Sequence, residues 1–97
     1  MTDYIFLMHD TAADIPSDAW TAYIERLSRS GNMRGGSAIG EGIACRKDGE
    51  IAAITPDLSG YIRIETENLE AARALLAGNP VYEAGGTVEI RELPATN

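Results

Sequence analysis

An α+β sandwich is the fold class that this sequence predicts, on three observations. An apolar run near the N-terminus is followed by a stripe of helical period. Several segments then alternate with the period of a strand. A second helical stripe precedes a last alternating segment. At 97 residues the chain is about one domain long. No linker, repeat or low-complexity tract interrupts it, so residues 1–97 read as a single domain. Hydrophobic residues make up 44% and charged residues 24%, the balance of a chain that folds rather than one that stays disordered.

The first element, Tyr4-Ile5-Phe6-Leu7-Met8, is apolar on both faces, the pattern of a central strand covered on both sides. Asp14-Ile15-Pro16-Ser17-Asp18 supplies cap and first-turn residues for a helix. Its apolar stripe is Trp20, Tyr23, Ile24 and Leu27, with Glu25 and Arg29 as an i,i+4 pair on the other side. Gly31 ends it by accepting a left-handed backbone. From Ser37 to Arg46 the chain alternates. Ile39, Glu41, Ile43 and Cys45 share one face, and Ala38, Gly40, Gly42 and Ala44 share the other. So small a face predicts close packing against another backbone, and Cys45 reads as a small buried hydrophobe. Asp48-Gly49 then predicts a two-residue hairpin with a return strand from Ile51 to Thr55, stopped by Pro56. Asp57 has a turn role.

Tyr61-Ile62-Arg63-Ile64-Glu65 alternates, with Ile62 and Ile64 toward the core. Asn68 caps a second helix, Leu69 to Ala77, striped by Leu69, Ala72, Leu75 and Leu76 and ended by Gly78-Asn79-Pro80. Val81 to Gly86 reads as a loop, and Thr87-Val88-Glu89-Ile90-Arg91 as the last strand. This order is that of a ferredoxin-like βαββαβ sandwich, an antiparallel sheet with two helices on one face. The helix-free face carries Tyr61, Arg63, Glu65, Thr87, Glu89 and Arg91 beside one of the first strand's two apolar rows, Tyr4-Phe6-Met8 or Ile5-Leu7. Exposing that apolar row is unusual for a monomer, so a second copy of the sheet is expected to pack against it. The result is a homodimer through sheet faces, a dimeric α+β barrel.

Eight Lys and Arg against fifteen Asp and Glu give a net charge of −7. The cations are scattered, which argues against a nucleic-acid partner. No apolar run approaches the length of a membrane span, and no signal-peptide pattern opens the chain. One cysteine forms no internal disulfide, and a cytoplasmic protein is expected.

Taken together, Asp3-Tyr4-Ile5-Phe6-Leu7-Met8, Trp20 and Tyr23, Leu58-Ser59-Gly60-Tyr61-Ile62-Arg63-Ile64-Glu65, Leu69-Glu70-Ala71-Ala72, Gly78-Asn79-Pro80 and Gly85-Gly86-Thr87-Val88-Glu89-Ile90-Arg91 resemble the YCII-related family. The resemblance covers nearly the whole chain and is strongest from Gly60 onward. It implies the dimeric α+β barrel and, in some branches of the family, acid/base work on small organic molecules. Two family features are absent. Thr55-Pro56-Asp57-Leu58 stands where the DGPF type carries Thr-Asp-Gly-Pro-Phe, and the first helix has no histidine to form the His–Asp dyad proposed for bacterial members.

The one histidine, His9, ends the first strand. Its side-chain type is the one that titrates near neutrality unaided, which makes it the candidate acid/base; a half-exposed strand end is the plainer account. Arg63 could hold a carboxylate or phenolate by its fork, or pair across strands with Glu65 and Glu89, as Arg91 could. Ser37 offers a hydroxyl at a strand start, and Tyr82 is a loop aromatic of the kind that lines pockets. Trp20 and Tyr23 read as core. The glycines from Gly35 to Gly42 fit neither phosphate-loop nor dinucleotide spacing. One His and one Cys cannot supply a structural zinc site, and neither metal nor cofactor is expected. The functional expectation is a small-molecule binder with lyase- or isomerase-like acid/base chemistry. The alternative is a non-catalytic ligand-binding or structural interaction module on the same fold.

Overall fold

Strand β1, Thr2–His9, lies inside a sheet because its neighbours bond to both of its edges. The computed structural model describes residues 1–11, 13–50 and 53–95. After β1 come α1 (Ser17–Arg29), β2 (Met33–Ala38), β3 (Leu58–Thr66), α2 (Leu69–Ala74), α3 (Pro80–Glu83) and β4 (Val88–Leu93). The strands form one four-stranded sheet in the order β2-β3-β1-β4, every neighbouring pair antiparallel. This is the expected α+β sandwich.

Alternation along β1 and β3 decides which side is covered. Tyr4, Phe6 and Met8 with Ile62 and Ile64 are buried, and Tyr23 and Leu27 of α1, Ala72 and Leu76 of the α2 region, and Val81 of α3 close over them. Val88 and Ile90 pack at the rim of the same core, as their period predicts. On the opposite face Ile5 and Leu7 are only half-buried within the single chain.

Local signals act where they are strongest. Gly31 ends α1 with φ 81°, and the Glu25–Arg29 pair forms at 3.4 Å. Asn68 caps α2 by accepting the Ala71 N–H at 2.9 Å, and Asp57 turns the chain with φ 71°. Tyr23, on the buried stripe of α1, donates its hydroxyl to the Leu75 carbonyl at 2.8 Å. Burial holds its phenol above the usual value of 10.0.

Four expectations are corrected. The strand placed at Ser37 to Arg46 is instead Met33–Ala38, and the chain from Ile39 through Glu50 and from Ala53 to Pro56 carries no strand. The start of the proposed return strand, Ile51 and Ala52, lies outside the described residues. Gly40 and Gly42 face open space among the described residues and Cys45 is exposed, so the close packing expected of them is not formed. The tight glycine is Gly36, where an added Cβ would come within 2.6 Å of the Tyr61 carbonyl oxygen across the β2–β3 ladder. Leu69, counted in the helical stripe, is half-exposed at the first position of α2, which ends at Ala74 rather than Ala77. Finally, the segment read as a loop from Val81 contains α3. Asn79 caps it by accepting the Tyr82 N–H at 3.1 Å, with Pro80 in its first turn.

Candidate functional site

Two places concentrate chemistry, one on each face of the sheet. On the helix side, where α1 stands off the β2 edge, a cavity of about 540 Å³ opens. Its walls are apolar: Met8 of β1, Ile15 before α1, Trp20 and Ile24 of α1, Met33 of β2 and Ile62 of β3. Asp10, Thr11, Ser37, Ser59 and Tyr61 are the hydroxyl and carboxylate residues among its lining. The cavity exists because α1 buries only Tyr23 and Leu27 fully, leaving Trp20 and Ile24 half-covered beside an edge strand whose glycines supply no side chains. Trp20 meets the Tyr23 ring edge-on, with centroids 6.4 Å apart, which braces the indole as a wall.

On the helix-free face the register sets a second group. Ser37, Tyr61, Leu7 and Glu89 fall in one row across the four strands, and Gly35, Arg63, Ile5 and Arg91 in the next. At the end of β1, His9 Nε2 lies 2.7 Å from Glu89 Oε2, a diagonal cross-strand contact between side chains 29% and 40% exposed. The His9 hydrogen bond holds the Glu89 carboxyl below its usual range, and the charges of His9 and Arg91 add to the effect. Arg91 Nη1 lies 3.5 Å from the other Glu89 oxygen. The carboxylate therefore fixes one imidazole nitrogen and its ring orientation, the arrangement by which a carboxylate positions a histidine for proton transfer.

The sequence-predicted candidates divide between these places. His9 and Arg63 lie on the open sheet face. Ser37 stands in the row of Leu7 and Glu89, lines the cavity edge, and donates its hydroxyl to the Ala38 carbonyl at 2.9 Å. Arg63 is exposed and makes no ion pair among the described residues; Glu65 instead meets Arg34 at 3.0 Å. Tyr82 sits on α3, half-exposed, and is absent from the cavity lining among the described residues. Trp20, read as core, proves to be a cavity wall, while Tyr23 is core as expected. Glu89 as the partner of His9 was not legible from spacing, since the two lie 80 residues apart and meet only through the β1–β4 register. No cluster of three or more metal-ligating side chains is present among the described residues, and no helix there is long and apolar enough to cross a membrane.

No family model matches the chain, and no curated protein matches it in sequence. Among solved structures it is similar to 5-chloro-2-hydroxyhydroquinone dehydrochlorinase from Burkholderia phenoliruptrix AC1100, in complex with 2,5-dihydroxybenzoquinone. The TM-score is 0.55 at 16% identity, covering 99% of this chain and 96% of that one. At that identity the likeness is one of fold, along the whole length of both chains.

Proposed function

We propose that the protein binds a small organic molecule in the cavity between α1 and the β2 edge. The cavity itself carries this reading. Its volume of about 540 Å³ is that of a small-molecule site, and its walls are mostly apolar with a few polar groups to orient a ligand. The full-length fold likeness to a protein solved with a dihydroxybenzoquinone supports the same reading. Trp20 is the chain's one tryptophan, so its fluorescence reports on this wall without interference. Titration with a panel of aromatic and aliphatic alcohols should give a saturable change for some members, lost when Ile24→Phe fills the space. A response that stays linear for the whole panel overturns the reading.

The His9–Glu89 contact favours a second, catalytic reading. In it a second copy covers the open sheet face, completing a dimeric α+β barrel, and His9 does acid/base work in the space so enclosed, with Arg63 as an orienting cation. The half-buried Ile5 and Leu7, flanked by polar residues, are the surface such a partner would cover. Light scattering at micromolar concentration should give twice the chain mass of 10.4 kDa, and Leu7→Asp should return it to one chain. A parent protein that already scatters as one chain sinks the barrel and, with it, the enclosed site.

A further inference from the structure

We infer that the α1-side cavity selects small neutral or cationic aromatic molecules and rejects anionic ones. The inference rests on the cavity reading above and adds the chemical class of the occupant.

The selection follows from what the lining can and cannot offer. Asp10 is its charged residue, and no lysine, arginine or histidine lines it among the described residues. Two of the lining hydroxyls are committed to backbone carbonyls. Ser37 Oγ already donates to the Ala38 carbonyl at 2.9 Å, and Ser59 Oγ to the Met8 carbonyl at 3.2 Å. The Thr11 and Tyr61 hydroxyls and the Trp20 indole N–H remain as neutral donors, and the Asp10 carboxylate presents lone pairs only. Thr11 Oγ1 accepts the Ala13 N–H at 3.2 Å. Nor is a cation held in reserve beside the β2 wall. Arg34 donates to the carbonyls of Gly31 at 2.7 Å and Met33 at 3.0 Å and pairs with Glu65 at 3.0 Å. Arg26 donates to the Ala77 carbonyl and stacks over Tyr23.

An anionic ligand would therefore exchange full hydration for apolar walls, a few neutral donors and the Asp10 carboxylate, with no side-chain cation to offset the loss. A net charge of −7 adds a long-range penalty of the same sign. An ammonium group finds the Asp10 carboxylate instead, and a neutral hydroxyl loses little on entry. The apolar body of the ligand is matched by the Trp20 indole and by the thioethers of Met8 and Met33, which adapt to and favour aromatic rings.

The test uses toluene, benzyl alcohol, benzylamine and benzoate, which share one ring and differ in the substituent. Binding is followed at pH 7 by Trp20 fluorescence and by calorimetry. Toluene, benzyl alcohol and benzylamine should bind about tenfold or more tightly than benzoate. Asp10→Asn should erase the advantage of benzylamine over benzyl alcohol and leave toluene unchanged. Circular dichroism checks that this variant folds. Benzoate binding as tightly as benzyl alcohol overturns the charge selection while leaving the cavity reading intact, and so does a benzylamine affinity indifferent to Asp10→Asn. If none of the probes binds, the cavity reading falls and this inference falls with it.

Discussion

Phe6→Ala should cost about 3–5 kcal/mol of stability, the range for removing a phenyl group from a close-packed core. Phe6 is fully buried at the centre of β1, with Ile62 opposite it on one side and Ile90 on the other, under the layer of helices. No loop or chain end can collapse into the space that it leaves. A domain of this length has a total stability of roughly 5–15 kcal/mol, so the variant should be at or near its unfolding midpoint in mild denaturant. Leu7→Ala, one residue along on the open face, should change the stability of the isolated chain far less, because Leu7 is only half-buried there. Urea unfolding followed by circular dichroism separates the two. Equal midpoints for Phe6→Ala and the parent would mean that the helix-side core is not where the structure puts it.

The second large effect is expected at Asn79, a polar residue with no exposed surface. Its Oδ1 accepts the Tyr82 N–H at 3.1 Å, its backbone carbonyl accepts the Glu83 N–H at 2.8 Å, and its backbone N–H donates to Leu76. The backbone N–H thus ties Asn79 to the end of the α2 region, and the side-chain oxygen to the start of α3. Asn79→Ala deletes the cap, leaves the Tyr82 N–H without its acceptor, and opens a small void. Together these should cost about 2–4 kcal/mol. Asn79→Asp keeps the capping oxygen but buries a carboxylate, so it should also be destabilised at neutral pH and recover part of the loss as the pH falls and the acid is protonated. The sign follows because full burial with one N–H partner raises the carboxyl's folded-state pKa, so the folded state takes up the proton first. Thermal melts across pH 4 to 8 check both variants. An alanine variant that melts with the parent would remove the capping role.

The same residue shows how far local sequence signals reach. Gly78-Asn79-Pro80 reads as a helix stop, and it is one. It is also a start, since asparagine before proline is a cap followed by a first-turn residue, and α3 follows. The expected loop failed because four helical residues are too few to show a period. The hairpin expected after Ser37 failed for a different reason. Alternation and an Asp-Gly pair favour a hairpin but do not supply a sheet partner. In this chain β2 pairs with β3 through Met33–Ala38, a glycine-rich stretch with little alternation of its own. Gly36 is tolerated there, and needed, because the neighbouring backbone lies so close.

By itself the sequence determined the fold class, the first helix and its end, the Asn68 cap, the double apolarity of β1 and the inward set Ile62, Ile64, Val88 and Ile90. Each of these depends on residues within one turn or a few strand positions of one another, where periodicity and capping chemistry act directly. The tertiary structure alone decided the rest. The β1–β4 register brought Glu89 to His9 across 80 residues. The standoff of α1 from the glycine-bearing edge strand turned Trp20 from a core residue into a cavity wall. Contacts of that kind depend on which strands become neighbours and how far apart two layers settle, and those are set by the summed packing of the whole chain rather than by any local pattern.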